Sequence, residues 1–300
     1  MPNKPHKSGV KLFVLCDSHG YSYRFEIFNG AGNNVVVPGA PDLGATANVV
    51  VRLSQTIPDF VHHIVYFDNF YTTLPLLVYL RARGIYSLGT VRANRLPNCK
   101  LPSDKDPEMT KAARGYSTEY AATAYGIDLS TVLWKDTRCV RLASTYVGIT
   151  PFSRSTGVPE IAKISRYNRQ EKKYVNVDCP QIIREYNAHM GGVDLMDGLM
   201  GRYKITLKTR DVMTRIFYHL VDMTITNAYI LYKRANFEKQ KDPSQPKTEE
   251  HLLSLPEFRL DLAAALCAYT KKRPVGRPST APEELEQPSV SGQRARSATG

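Results

Sequence analysis

The stretch HHIVYFDNFYTTLPLLVYLRARGIYSLGT, residues 62–90, decides the fold. Its first part, HHIVYFD, is a short continuous apolar run ending in an acid, the pattern of a strand covered on both faces. Thr73 then stands before Leu74-Pro75, an N-cap residue followed by proline near the first helical position. LPLLVYLRARG has arginines in its last turn and closes on Gly84, the residue type that ends helices in the left-handed conformation. IYSLGT resumes as strand. Strand, helix and strand without long loops predict a parallel βαβ unit and an α/β class. Functional groups in such units gather just past the carboxyl ends of the strands. Asp68 sits there.

Working outward, KLFVLCDSHGYSYRFEIFNG reads as a hairpin, with strands over 11–16 and 21–28 around the turn Asp17-Ser18-His19-Gly20. NVVVRLSQTI fits strand or helix. From Leu96 the texture becomes polar and broken, then β-rich, which predicts a separate β-rich insertion. PQIIREYNAHMGGVDLMDGLMGRY is helical in tendency, with a break at Gly191-Gly192. DVMTRIFYHLVDMTITNAYILYKRANF has helical spacing and predicts a long packed helix whose Tyr and Phe side chains face the core. A polar linker, a short amphipathic segment and a polar tail from Lys271 follow; the tail has the composition of a disordered segment.

The 300 residues carry 40 Lys+Arg against 28 Asp+Glu, a formal charge of +12, which favours a polyanionic partner. No run of 18 apolar residues occurs, so no membrane-spanning helix and no membrane partner are expected. The opening MPNKPHKSGVKLF has no apolar core and does not read as a secretory signal. The five cysteines are odd in number and widely spaced, with no C-x-x-C pair. That pattern disfavours a zinc ribbon or disulfide framework and suits reduced thiols.

Three features carry candidate chemistry. Asp68 reads either as a turn acceptor or as a metal ligand or acid/base at the sheet rim. Asp194 and Asp197, three apart on a helix, share a face. Two adjacent carboxylates suggest a divalent cation with oxygen ligands, or simply an acidic first turn favoured by the helix dipole. The Gly191-Gly192 pair would let a backbone or a phosphate come close. Two basic groups complete the set. Arg81, Arg83, Arg92, Arg95 and Lys100 fall in a window without acids, and Arg202, Lys204, Lys208, Arg210 and Arg215 are opposed only by Asp211. Carboxylates on divalent metal beside such cations describe a phosphodiester-cleaving site, although the cations also suit a solvated face.

KPHKSGVKLFVLCDSHGYSYRFEIFNG, YFDNFYTTLPLLVYLRARGIYSLGTVRANR, VLWKDTRCVRLAST and EYNAHMGGVDLMDGLMGRYKITLKTR resemble, in order and spacing, the piggyBac transposase-derived family, over residues 2–233. DNFYTTLPLL and YNAHMGGVDLMD are the most specific pieces. The resemblance implies an RNase H-like catalytic core over 1–95, returning at 181–203, interrupted by a β-rich insertion domain over 96–180. A helical DNA-binding region over 204–238, a linker and short helix over 239–270 and a disordered basic tail over 271–300 complete the organisation. It also implies Mg2+ or Mn2+ held by catalytic aspartates, double-stranded DNA as partner, a homodimer and a nuclear location. The family's second and third acids map onto Asp68 and Asp194, and a further acidic position onto Asp197.

The sequence departs from the family pattern. The first catalytic aspartate and its central strand precede the K-P-H-K segment in the family, so the core read here lacks that strand. Asp17, in a hairpin turn, is no obvious substitute. Val212 stands where the family often has tryptophan, and the Cys/His-rich C-terminal module is missing. These departures predict a catalytically defective DNA-binding chain. The alternatives are a domesticated DNA- or chromatin-binding module and a truncated form of an active transposase. In the tail, KKRPVGRPS resembles an A·T minor-groove hook with Arg273 and Arg277, a basic nuclear-localisation patch, or a plain solvated tail. His62-His63 read as packing or solvent-facing residues, and Trp134 as core of the insertion domain.

Overall fold

The computed structural model describes residues 9–28, 30–96, 98–150, 161–241 and 252–269. Two antiparallel strands open it, β1 (Leu12–Cys16) and β2 (Ser22–Ile27), with Phe13 facing Glu26 and Val14 facing Phe25. The turn is closed by Asp17, whose Oδ1 accepts the amide N–H groups of His19 and Tyr21 at 2.9 and 3.0 Å. NVVVRL, open between strand and helix in the sequence, is helix α1 (Ala45–Leu53). The N-cap position holds Gly44, which offers no side chain. Asn48 fixes this helix start instead, bonding Leu43, Asn34 and Asp42 from a fully buried position.

The βαβ unit forms as the sequence predicts. Strand β3 (Ile64–Phe67) runs parallel to β4 (Tyr86–Thr90), joined by α2 (Leu74–Ala82). The Thr73 side chain accepts from the Leu76 N–H, and Gly84 ends the helix at a φ of +72°. A Cβ on Gly84 would meet the Phe60 backbone at 2.6 Å, so the position needs glycine for space as well as for conformation. Strand β3 is less covered than expected: Val65 and Phe67 are buried, but Ile64 is exposed, because β3 lies at the edge of its sheet.

After the short helix α3 (Pro107–Lys111), the strands β5 (Ser117–Ala124), β6 (Ile127–Lys135) and β7 (Cys139–Ser144) do not break away from this sheet. β7 hydrogen-bonds antiparallel to β4, so the five strands run in the order β3-β4-β7-β6-β5. The change of texture at Leu96 therefore coincides with no break in hydrogen bonding. Strands β8 (Ala162–Asn168) and β9 (Lys173–Cys179) form a separate hairpin. Trp134 joins the two, buried with Val177 and Cys179 and donating its indole N–H to the Asp178 carbonyl.

Helices α4 (Gln181–His189) and α5 (Gly192–Arg202) are split at the expected glycines, and α6 (Val212–Lys241) is the expected long helix of 30 residues. Met196, Met200 and Met223 pack with Leu12, Val14 and Cys16, seating α5 and α6 on the first hairpin. Tyr229 is buried as expected on α6, whereas Phe217 is 61% exposed. A second compact unit begins at Leu253. It contains α7 (Leu255–Ala268), started by a capping box in which Ser254 and Glu257 bond one another's ends.

Candidate functional site

Asp68 follows the last residue of β3, and its local bonds explain why a carboxylate ends a core strand. Oδ1 accepts the Phe70 N–H at 2.9 Å, and its carbonyl accepts from Tyr71, Thr72 and the Thr72 hydroxyl. This is an Asx turn, which satisfies backbone groups left over at the strand end. The acid stays exposed. Two arginines fold onto the same turn: Arg92 donates to the Asn69 side chain at 3.0 Å, and Arg95 donates to the Phe70 carbonyl at 2.8 Å. Both were expected to face DNA. Arg95 is half-buried and spends a donor on the turn, while Arg92 remains exposed.

Asp194 lies in the first turn of α5, also exposed. It shares a neighbour with Asp68. Burial pushes the Tyr186 phenol pKa up, a hydrogen bond with Thr90 opposes that, and the charges of Asp68 and Asp194 both add to the rise. Tyr71 beside Asp68 is pushed up to about 12, by burial first and the Asp68 charge second. Tyr186 was not singled out by its sequence; it occupies an ordinary helical position, and only the return of α4 beside β4 reveals it.

Asp197 looks elsewhere. It lines a depression of about 190 Å³ with Lys204, His219 and Asp222. Its charge is felt at Cys16, whose thiol is pushed up to about 12 by burial, then by Asp17 and Asp197. Asp68 and Asp194 are thus both felt at Tyr186, while Asp197 lines the depression beside α6 and is felt at Cys16. Among the described residues, no three Asp, Glu, His or Cys side chains form a group able to hold a metal ion. Mg2+ is commonly held by one or two carboxylates, with water and substrate phosphate filling the rest of its octahedron, and Asp68 and Asp194 are the residues that would hold it here.

Asp17 is tied up as well. Its other oxygen accepts from Arg234 and from the Tyr23 hydroxyl, and its carbonyl packs on α5. A Cβ on Gly192 would lie 2.1 Å from that carbonyl oxygen. The close approach read from Gly191-Gly192 is therefore made by the hairpin backbone.

The second basic group is built differently. Arg202 ends α5, Lys204, Lys208 and Arg210 follow, and Arg215 lies in the first turn of α6; all five are exposed, and none makes an ion pair among the described residues. The one acid within the run, Asp211, is occupied. Asp211 accepts from the Met213 and Thr214 amides and from the Thr214 hydroxyl, a cap that draws its pKa below the usual carboxylate range. Asp222, buried on α6, holds the segment from below by accepting the Ile205 N–H at 2.9 Å. An acid alone within the apolar run YHLVDMTIT was the available signal for that role. Arg273 and Arg277 lie outside the described residues.

Comparison with known proteins places this arrangement. Residues 1–229 match the family described as Transposase IS4. Human piggyBac transposable element-derived protein 3 is 27% identical over 233 residues, covering 77% of this chain and 36% of that protein. Human piggyBac transposable element-derived protein 2 is 25% identical over 241 residues, covering 80% of this chain and 38% of that protein. The chain thus spans little more than a third of the length of these relatives. A solved structure, the piggyBac transposase synaptic complex with hairpin DNA, superposes with a TM-score of 0.60 at 24% identity, covering 96% of this chain and 56% of that one. The mixed α/β fold is that of the piggyBac transposase, and the chain belongs to the IS4/piggyBac-type transposase family.

Proposed function

We propose that this chain is a DNA-binding member of the transposase family that does not cut DNA by itself. The observation that carries the reading is the run of exposed cations from Arg202 to Arg215, in which the one intervening acid, Asp211, is spent on a helix cap. Five cations on one exposed segment, pinned by Asp222 to a long helix, suit the phosphates of a duplex. The neighbour solved with hairpin DNA supports a nucleic-acid partner. An RNase H-like reading of the core is supported by the hairpin, α1 and the parallel βαβ unit, with β5–β7 continuing the sheet as the insertion. A nuclear location and a homodimer are the corresponding expectations for a protein with this partner.

The acidic residues support the second half of the reading. Asp68 and Asp194 stand about Tyr186 as a pair, and Asp197 faces α6. These groups can bind, orient and accept hydrogen bonds. That arrangement supports the reading that this chain alone does not cut DNA. The test is an end-labelled duplex incubated with the chain and Mg2+. Salt-dependent binding without nicking is expected; cleavage lost in Asp68→Ala would overturn the second half of the reading.

A further inference from the structure

The opposite end of the β3–β4 pair holds a groove that the acidic site does not explain. It measures about 620 Å³ and is lined by residues including His62, Arg81, Tyr86, Asp128 and Tyr146. That volume lies within the roughly 300–1,000 Å³ of small-molecule sites. Tyr86 begins β4 and Ile64 begins β3, so the groove is about 13 Å along the strand from Asp68.

Its lining is a layered stack. The Arg81 guanidinium lies 4.4 Å from the Tyr86 ring centre, and the His62 ring stacks on Tyr86 at 5.8 Å and 30°. Tyr146 meets Tyr86 edge-on at 5.7 Å, and its hydroxyl bonds Tyr66 at 3.2 Å. His62 is exposed, and Arg81 makes no ion pair among the described residues. Asp128 accepts from Thr123 with one oxygen at 2.7 Å, leaving a carboxylate edge at the rim.

The loop that presents His62 is strained. Phe60 and His62 both hold a positive φ, 58° and 61°, which bulky residues rarely adopt. The strain is held in place by Phe60 N–H donating to the Arg83 carbonyl, by the Arg83–Asp59 ion pair and by the contact with Gly84. It leaves Phe60 and Val61 70% and 57% exposed beside the groove.

We propose that this groove binds an unpaired nucleotide of single-stranded DNA. A base has a flat face that extends the His62–Tyr86 stack, a base N–H (the N3–H of thymine included) can donate to Asp128, and its phosphate answers Arg81, which makes no ion pair among the described residues. A methylated ammonium also suits stacked rings, but here it would meet the Arg81 charge. An apolar peptide would leave that charge unanswered. The site is separate from the basic segment assigned to duplex DNA, so the two stand or fall separately.

The test uses the whole chain with 5′-phosphorylated oligothymidylate, read by fluorescence anisotropy, and a duplex as the second arm. Arg81→Gln keeps the chain length, and His62→Asn removes the ring while tolerating the left-handed backbone. Each variant should bind oligothymidylate about tenfold more weakly, with duplex binding unchanged. Oligothymidylate carrying 5-iodouracil should crosslink to the peptides holding Tyr86 or Tyr146. Equal binding by variants and parent, crosslinks confined to residues 202–215, or a parent chain that takes duplex and ignores the single strand would each overturn the inference. Failure of the duplex arm would instead sink the proposed function.

Discussion

Where β3 and β4 end, the chain gathers acids, with Asp68 and Asp194 both felt by Tyr186; where they begin, it gathers rings and a guanidinium, with Arg81, Tyr86 and His62 in one stack. The same two strands thus present opposite chemistries at their two ends. At the acidic end three polar side chains are drawn into the turn: Asp68 takes the Phe70 amide, Arg95 takes the Phe70 carbonyl and Arg92 takes Asn69. At the aromatic end the loop is bent into left-handed backbone, and its side chains face solvent. A motif can therefore be fully formed while serving its own backbone, and a neighbouring surface without a motif can hold the unspent groups.

The harshest way to break the comparison is to add one carbon beneath each end. Gly89 lies under the 67–72 turn, where a Cβ would meet Thr72 Oγ1 at 2.4 Å and the Phe67 carbonyl at 2.8 Å; Gly84 lies under Phe60. Gly89→Ala and Gly84→Ala should each cost about 3 kcal/mol in urea unfolding. Hydrogen exchange should then accelerate at 67–72 for the first and at 58–63 for the second. A cost below about 0.5 kcal/mol at either glycine would contradict the packing described for that end.

A milder change should loosen the acidic end alone. Arg95→Ala removes the donor to the Phe70 carbonyl and should cost about 1 kcal/mol. Exchange at residues 70–72 should rise while the groove loop stays protected. Equal loosening at both ends would mean the turn and the loop are one unit.

Asp17 tests the hairpin that supports both α5 and α6. Burial pushes its carboxyl pKa up, but the Arg234 hydrogen bond, the Tyr21 and His19 amides and the Arg234 charge outweigh this and draw it below the usual carboxylate value. A depressed native pKa adds stability above the unfolded value, and that stability is lost as pH falls through the native one. Asp17→Asn should therefore be destabilising at pH 7, by about 1 kcal/mol once solvent screening is allowed for. The two proteins should converge in thermal melts below the ordinary carboxylate range. A gap that persists at pH 2 would show that the loss is one of packing.

The smallest effect concerns Tyr186. Asp68→Asn and Asp194→Asn should each lower its phenol titration midpoint, observed by NMR of labelled tyrosine, because each removes one negative charge near it. Asp197→Asn should leave it unmoved. A response to Asp197 and none to Asp194 would reverse the division of acids described here.

Much of the fold was legible because its signals are local. Thr73, Pro75 and Gly84 bound α2 through their own backbone preferences, and the β-rich runs flanking the Asp17-Gly20 turn signalled the hairpin. The pairing of β7 with β4 was not legible, because it joins residues more than 50 apart through backbone groups that carry no sequence mark. The site divides in the same way. Asp68, Asp194 and the basic segment stood out as residue types, whereas the sharing of Tyr186, the turn of Asp197 toward α6 and the groove at Tyr86 arise only when distant elements meet.

Duplex binding measured across salt concentrations tests the central claim most directly, with the parent chain set against Arg202→Gln/Lys204→Gln/Lys208→Gln. Losing three phosphate contacts should weaken binding and reduce the slope of log K against log salt by roughly 3, with neither protein nicking the duplex in Mg2+. Unchanged affinity and slope in the triple variant would contradict the account.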